Sequence, residues 1–343
     1  MGVNANKNNA VRLSTKANIL ITLRERAGNT VSGSKLASEL GISRVGVWKG
    51  IQALINAGYF IKSNDSGYFL DPVKTSDFLY PWEFGEKEPM FRYFENTTST
   101  MDNARDLASQ GHDAGTVVIA DTQSAGRGRN GRTWASPQGG LYCSFLDRPS
   151  ISLADFCVPA MLYQIAVARA ISSICGKQAK LRWPNDIYVD NLKIAGILTE
   201  LEAEGDMIKW IATGIGVNVN NQSPSAKAVS CRDLVRRMVP RKMVLDAIID
   251  EAERLKKSSG STMAYTQGNR HLAAEWNSLA DGIGAKAVIV DSRTPQEDKG
   301  RMLAGGIFAG IDPAGRCIIK TENNSKSLYF NSGPVSLMFL KKG

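Results

Sequence analysis

Residues 126–142 constrain this chain most. They read Gly126-Arg127-Gly128-Arg129-Asn130-Gly131-Arg132-Thr133-Trp134, then Ala135-Ser136-Pro137-Gln138-Gly139-Gly140-Leu141-Tyr142. Glycine weakens helix and strand alike but lets a backbone bend tightly and approach a ligand. Arginine supplies a planar, permanently charged fork that matches carboxylates and phosphates. The run is therefore a flexible loop that binds an anion, expected to combine phosphate and carboxylate, and it needs a scaffold built from the rest of the chain.

At 343 residues, 43% of them apolar, the chain can form two or three packed domains. No apolar stretch approaches the length of a membrane span, and the polar start carries no secretory h-region, so a cytoplasmic protein with no membrane partner is expected. The five cysteines show no metal spacing and read as small buried hydrophobes with reduced thiols. The two histidines, His112 and His271, stand far apart. A zinc site or a Ser-His-Asp triad is not expected, and no protein-held metal is assigned. The chemistry must run on Lys, Arg, Asp, backbone N–H groups and a metal that arrives with a ligand.

Residues 1–72 carry nine Lys or Arg against four Asp or Glu, a net of +5 of the chain's +9. Such asymmetry points weakly to a nucleic-acid partner. Residues 10–26 mix apolar and basic positions as an amphipathic helix does. Ser34 reads as the N-cap of a second helix ending at Gly41, and Ser43 as the N-cap of a third over 44–57. The third helix has Val47, Ile51 and Leu54 at core spacing, leaving Val45, Trp48, Lys49 and Gln52 nearer its other face. Strands at 59–62 and 68–70 flank a turn, completing a winged helix-turn-helix over 1–72. Ser43, Arg44, Trp48, Lys49 and Gln52 are the candidate DNA-binding residues.

Residues 73–89, rich in Pro and aromatics, read as a linker. Residues 90–282 alternate strand and helix patterns, an α+β core around a mixed sheet. They include a short strand at 117–120, an apolar helix over 159–174 and a long strand at 209–219 with a glycine-marked irregularity. Residues 283–343 hold short strands of even spacing, expected to close into a small β-barrel. Two further segments belong with the arginine loop. Hydroxyls at Ser99 and Thr100 precede a helix. Arg182-Trp183-Pro184-Asn185-Asp186 is followed by Lys193-Ile194-Ala195-Gly196, a spacing that suggests a hairpin returning Lys193 to Asn185 and Asp186.

Taken in order, these motifs and Gly214-Ile215-Gly216-Val217-Asn218-Val219 resemble the biotin protein ligases, specifically the bifunctional bacterial type that also represses its biotin operon. The resemblance implies a class II synthetase-like ligase domain followed by an SH3-like barrel. It implies activation of biotin by Mg²⁺-ATP to biotinyl-5′-AMP and transfer to a lysine of a biotin carboxyl carrier domain. By the motif match, Lys193, Arg129 and Asp186 are expected to be catalytic. Biotin is expected at Ser99, Thr100, Gln123, Gly126, Arg127, Gly128, Arg129, Lys193 and Gly196. The nucleotide is expected at Arg129, Arg132, Trp134, Asn185, Lys193 and Asn218. A homodimer formed on adenylate binding and operator DNA are the further partners. Arg182 and Asn130 depart from the family pattern, where lysine and arginine are common, and residues 292–299 form an extra polar stretch read as a surface loop. A lipoate-type acyl ligase and a DNA-binding regulator that only senses ligand remain as alternative readings.

Overall fold

The computed structural model describes residues 13–71, 77–258, 265–291, 301–321 and 326–340. The expected start of the first helix before Leu13 and the stretch 292–299 lie outside the described residues. The chain divides into two compact units, 1–93 and 94–343.

In the first unit, helices α1 (Thr15–Glu25), α2 (Gly33–Leu40) and α3 (Arg44–Asn56) precede the hairpin β1 (Ile61–Asn64) and β2 (Gly67–Leu70). The cap of α2 is Ser32, not Ser34: its side chain accepts from the Lys35 amide, the third position of a helix that starts at Gly33. Ser43 caps α3 as expected, accepting from the Gly46 amide. Val47, Ile51 and Leu54 are fully buried with Ile19, Leu20 and Leu23. Gly50 lets α3 approach α1, since a Cβ there would lie 2.5 Å from Ile19 Cδ1.

The described part of the expected linker is packed. Phe78, Tyr80 and Trp82 rest on the helical core, and short 3₁₀ turns span Pro81–Met90. Buried Glu83 takes a bidentate pair from Arg24 at 2.8 and 2.9 Å and a hydrogen bond from the Tyr59 hydroxyl. A buried carboxylate is tolerated only when so satisfied. The aromatics that suggest a linker by their Pro-rich setting instead extend this unit's core.

In the second unit, β3 (Phe91–Thr97), α4 (Thr100–Ser109), β4 (Thr116–Gln123), β5 (Leu141–Asp147), α5 (Cys157–Cys175), β6 (Lys180–Arg182), β7 (Asp186–Val189), β8 (Leu192–Glu204) and β9 (Met207–Val217) form the core. The seven strands run in the order β3-β4-β5-β9-β8-β7-β6, with every pair from β4 round to β6 antiparallel. One side of the sheet is covered by α5, whose apolar length would suffice to cross a membrane. Fourteen of its residues are buried, the mark of a core helix. Helices α6 (Cys231–Val235), α7 (Arg241–Ser258) and α8 (Tyr265–Leu279) follow.

The glycines of β9 do not disturb it. Gly214 and Gly216 sit in regular register opposite Leu198 and Gly196, and the irregularity lies at Glu202/Ala203. The C-terminal strands are β10 (Lys286–Asp291), β11 (Met302–Ile311), β12 (Cys317–Lys320), β13 (Ser327–Phe330) and β14 (Val335–Phe339). They pair antiparallel in the order β13-β12-β11-β10-β14. Among the described residues no ladder joins β13 to β14, so an antiparallel five-stranded sheet is found and closure into the expected barrel is not. Strand spacing encodes the strands but not their closure.

Candidate active site

A cleft of about 1030 Å³ lies on the face of the large sheet opposite α5. That volume stands at the top of the usual range for small-molecule sites and suits one long ligand or two joined ones. Its floor is the glycine strip Gly196, Gly214 and Gly216. Its walls come from the α4 N-terminus, the arginine loop, residues 182–193 and β14.

One end is polar and internally wired. Ser99, 1% exposed, caps α4, and the Thr100 amide and hydroxyl both donate to Gln123 Oε1, at 2.8 and 3.2 Å. Ser144 donates to the Thr100 hydroxyl at 2.8 Å, and Gln123 Nε2 donates to Ser136 Oγ at 2.8 Å. Each rotamer is thus fixed by its neighbour, and the pocket is built before any ligand enters. Ser144 was not singled out from sequence. Its place opposite Val118 in β5 depends on sheet register.

The other end is aromatic. Trp134 lies across the cross-strand pair Gly196 and Gly216, where added Cβ atoms would stand 2.9 and 2.5 Å from its ring. Its indole Nε1 is buried against Gly216 without a hydrogen-bond partner. Lys193 Nζ is 2.6 Å from Asp186 Oδ1 and 5.3 Å from the Trp134 ring centroid. The hairpin expected from spacing sets this up. Its turn uses Asp190 and Asn191, both with positive φ, and Tyr188 pairs with Lys193. Asn185 donates to the Ile197 carbonyl at 2.9 Å, which fixes its oxygen towards the arginine loop.

The loop itself is a small hairpin. The Gly128 amide donates to the Arg132 carbonyl at 2.7 Å, the Trp134 amide to the Gly126 carbonyl at 2.8 Å, and the Arg132 amide to the Arg129 carbonyl at 3.2 Å. Asn130 (φ 56, ψ 38) and Gly131 (φ 70) form its turn. Asn-Gly is the preferred pair for a two-residue turn with positive φ at both positions. Asn130 therefore departs from the arginine-rich pattern at a position whose backbone suits asparagine.

The three arginines part company. Arg127 pairs with Asp102 at 2.8 Å and Glu200 at 3.1 Å. Arg129 donates to the carbonyls of Ser332 at 2.8 Å, Val335 at 3.1 Å and Gly333, with Asn185 Oδ1 at 3.4 Å. Burial lowers the pKa of Arg129 from its usual value, against the pull of Asp186. Arg132 is exposed on the cleft wall. Arg182 stacks 3.8 Å from the Tyr188 ring centroid and pairs with Asp281, while Trp183 Nε1 donates to the Gly315 carbonyl at 3.1 Å. The C-terminal sheet is thus tied to the motif residues at several points.

Of the residues expected from sequence, Ser99, Thr100, Gln123, Arg127, Gly128, Arg129, Arg132, Trp134, Asn185, Asp186, Lys193 and Gly196 line this one cleft. Gly126 lies buried behind it, where a Cβ would strike the Trp134 carbonyl at 2.5 Å. Asn218 does not line it. At 1% exposure it accepts from Asn221 Nδ2 at 3.1 Å, in a buried asparagine cluster beside Asn220. No cluster of three or more His, Cys, Asp or Glu suited to a metal occurs among the described residues.

Residues 93–218 match the biotin/lipoate A/B protein ligase family, and residues 15–69 match a helix-turn-helix domain family. The chain is 33% identical over 334 residues to the bifunctional ligase/repressor BirA of Bacillus subtilis, covering 92% of this chain and 97% of that one. This chain belongs to the bifunctional biotin ligase/repressor family. A biotin–[acetyl-CoA-carboxylase] ligase of Paracoccus denitrificans is 30% identical, over 65% of this chain and 91% of its own length. The structure of the Aquifex aeolicus biotin protein ligase in complex with biotin and ATP is similar at a TM-score of 0.59 and 25% identity. It covers 73% of this chain and 99% of that one.

Proposed function

We propose that this family member activates biotin with ATP to biotinyl-5′-AMP and pyrophosphate and then transfers biotin to a lysine of a biotin carboxyl carrier domain. The observation that carries the reading is one cleft lined together by the hydrogen-bonded Ser99–Thr100–Gln123 cluster, by Trp134 on a glycine floor and by Lys193.

Ser99, Thr100 and Gln123 suit the polar ring of biotin, and the flat face of Trp134 suits adenine. Both reactants of the first step are anions, and fixed cations must offset their repulsion. Lys193 stands where carboxylate and α-phosphate would meet, and Arg132 borders the same space. ATP enters as its magnesium complex, whose cation offsets phosphate charge, and the oxygens of Asn185 and Asp186 are the cleft atoms suited to hold it. The carboxylate oxygen bonds to the α-phosphorus as pyrophosphate leaves. In the second step the acceptor amine attacks the carbonyl carbon, AMP leaves, and the amine proton passes to Asp186 or water.

The first unit supports a second activity. On α3, Arg44, Val45, Trp48 and Lys49 are exposed on one face, with Gln52 half-buried beside them, while the opposite face is core. A recognition helix reads the major groove from such a face. We assign it operator binding as a homodimer formed when adenylate is bound, with affinity linked to that ligand.

Purified protein given biotin, Mg-ATP and a carrier domain is expected to release AMP and label one lysine. Labelling with lipoate in place of biotin, and none with biotin, would overturn the reading in favour of lipoate. Promoter affinity indifferent to biotin and ATP would remove the repressor half.

A further inference from the structure

The guanidinium of Arg127 is already balanced. Its Nη2 lies 2.8 Å from Asp102 Oδ1, and it meets Glu200 at 3.1 and 3.2 Å. Arg105 closes the ring, 2.8 Å from the same Asp102 oxygen and 3.9 Å from Glu200. Two cations and two carboxylates balance in charge, although Arg127 Nε is itself buried without a hydrogen-bond partner, so this arginine brings little net charge to a bound anion.

The ring joins three elements that otherwise have no covalent reason to keep their distances. Asp102 lies in the first turn of α4, three residues after Ser99 and two after Thr100. Glu200 lies in β8, two residues beyond Leu198 of the cleft wall. Arg127 sits between Gly126 and Gly128, whose backbone groups begin and end the loop's internal hydrogen bonds. The same helical turn therefore presents hydroxyls to the cleft and an anchor to the loop. Glycine neighbours give Arg127 no rigidity of their own.

We propose that Asp102 and Glu200 are positioning residues that act through Arg127, fixing the arginine loop against the Ser99–Thr100 end of the cleft and so setting the affinity for the biotin-side ligand. This rests on the ligase reading of the cleft. The forked contact from Glu200 fixes the direction of the guanidinium, and the single contact from Asp102 ties it to the first turn of α4. The members are about a third exposed, so added salt weakens the ring.

The test is a cycle of full-length variants: Asp102→Asn, Glu200→Gln, Arg127→Gln and the pairs Asp102→Asn/Arg127→Gln and Glu200→Gln/Arg127→Gln. AMP formation is followed with biotin, Mg-ATP and a carrier domain. Each single change is expected to raise the KM for biotin about threefold to tenfold, with kcat and the KM for ATP within about twofold. Each pair is expected to be no worse than Arg127→Gln alone. A biotin KM unmoved by Asp102→Asn, fully multiplicative effects in the pairs, or a fall in kcat at constant KM would each overturn the proposal.

Hydrogen exchange on the ligand-free protein reads the same anchor without activity. The Gly128 and Trp134 amides are expected to exchange at least tenfold faster in each single variant. Unchanged exchange there, with a wild-type melting curve, refutes the anchor whatever the substrate proves to be. Wild-type protein that makes no AMP from biotin refutes the ligase reading alone.

Discussion

Gly216→Ala tests the glycine floor directly. Gly216 lies in β9 and is not at a positive-φ position, so alanine meets no backbone strain there. The penalty comes from the ring above it: a Cβ would stand 2.5 Å from Cε2 and Nε1 of Trp134 and 2.9 Å from Cζ2. Ordinary contacts between heavy atoms need about 3.5–4.0 Å, so the indole must lift by roughly 1 Å. Overpacking a closed core costs about 1–3 kcal/mol. Trp134 is only half-buried, so the ring yields into the cleft and the loss of stability stays near the lower bound. The displaced ring then occupies nucleotide space. Stacking of a base on an aromatic is worth about 1–3 kcal/mol, and losing the lower part of it raises the KM for ATP about tenfold. Pyrophosphate exchange measured against ATP and against biotin separates the two ends of the cleft. Gly214→Ala serves as the contrast, because its Cβ would meet Met101 Sδ at 2.6 Å, a flexible side chain at the polar end. A Gly216→Ala enzyme with an ATP KM within twofold of wild type and an unchanged melting curve would refute the reasoning.

Lys193→Met is expected to lower the adenylation rate about 10²–10³-fold, as loss of one preorganised charge-stabilising donor does. It also leaves Asp186 without its partner at 2.6 Å, so Asp186→Asn in the same chain should recover melting temperature but not rate. Asn130→Ala places a Cβ-bearing residue with no local hydrogen bond at φ 56, costing about 1 kcal/mol; faster exchange of the Arg132 amide should report it, and unchanged exchange would count against the turn. Arg129→Lys keeps the charge but not the planar group whose Nη2 reaches three carbonyls while Nη1 reaches Asn185. Exchange at residues 332–337 should rise and AMP should accumulate without acceptor, whereas wild-type behaviour would mean that charge alone matters. Lys49→Ala should weaken operator and unrelated DNA alike and reduce the slope of log affinity against log salt by about 1, by loss of one phosphate contact; a loss confined to operator DNA would make Lys49 a base-reading residue.

Much of this was legible from sequence because local chemistry fixes it. Core spacing of Val47, Ile51 and Leu54 put them on one buried face of α3. The seven-residue gap between Asp186 and Lys193 brought the two into contact through a hairpin. What was not legible depends on partners far along the chain. Ser144 meets Thr100 only because β5 lies beside the α4 N-terminus. Asn218 sits in a motif yet is turned into the buried cluster with Asn221. Trp82 and Glu83 belong to the first unit because Arg24 and Tyr59 receive them, and their Pro-rich setting suggested only a linker. The Asn-Gly turn was readable, but Asn130 weighed as a missing arginine hid it. Barrel closure was out of reach, since it rests on whether β13 and β14 meet.

The arginines of the loop are identical in chemistry and separated by one or two residues, yet their surroundings give them different work. A guanidinium can act on a reacting anion only if its charge is not already answered. Arg127 is answered by two carboxylates. Arg129 is answered by dipoles, the carbonyls at residues 332–335, which hold its fork but leave its charge formally unbalanced. Arg132 stands exposed at the cleft wall. The charge left open to an anion therefore differs from one arginine to the next, least at Arg127 and most at the exposed Arg132. Lys193 adds a further cation to the same cleft, and it is held by the Asp186 carboxylate at 2.6 Å.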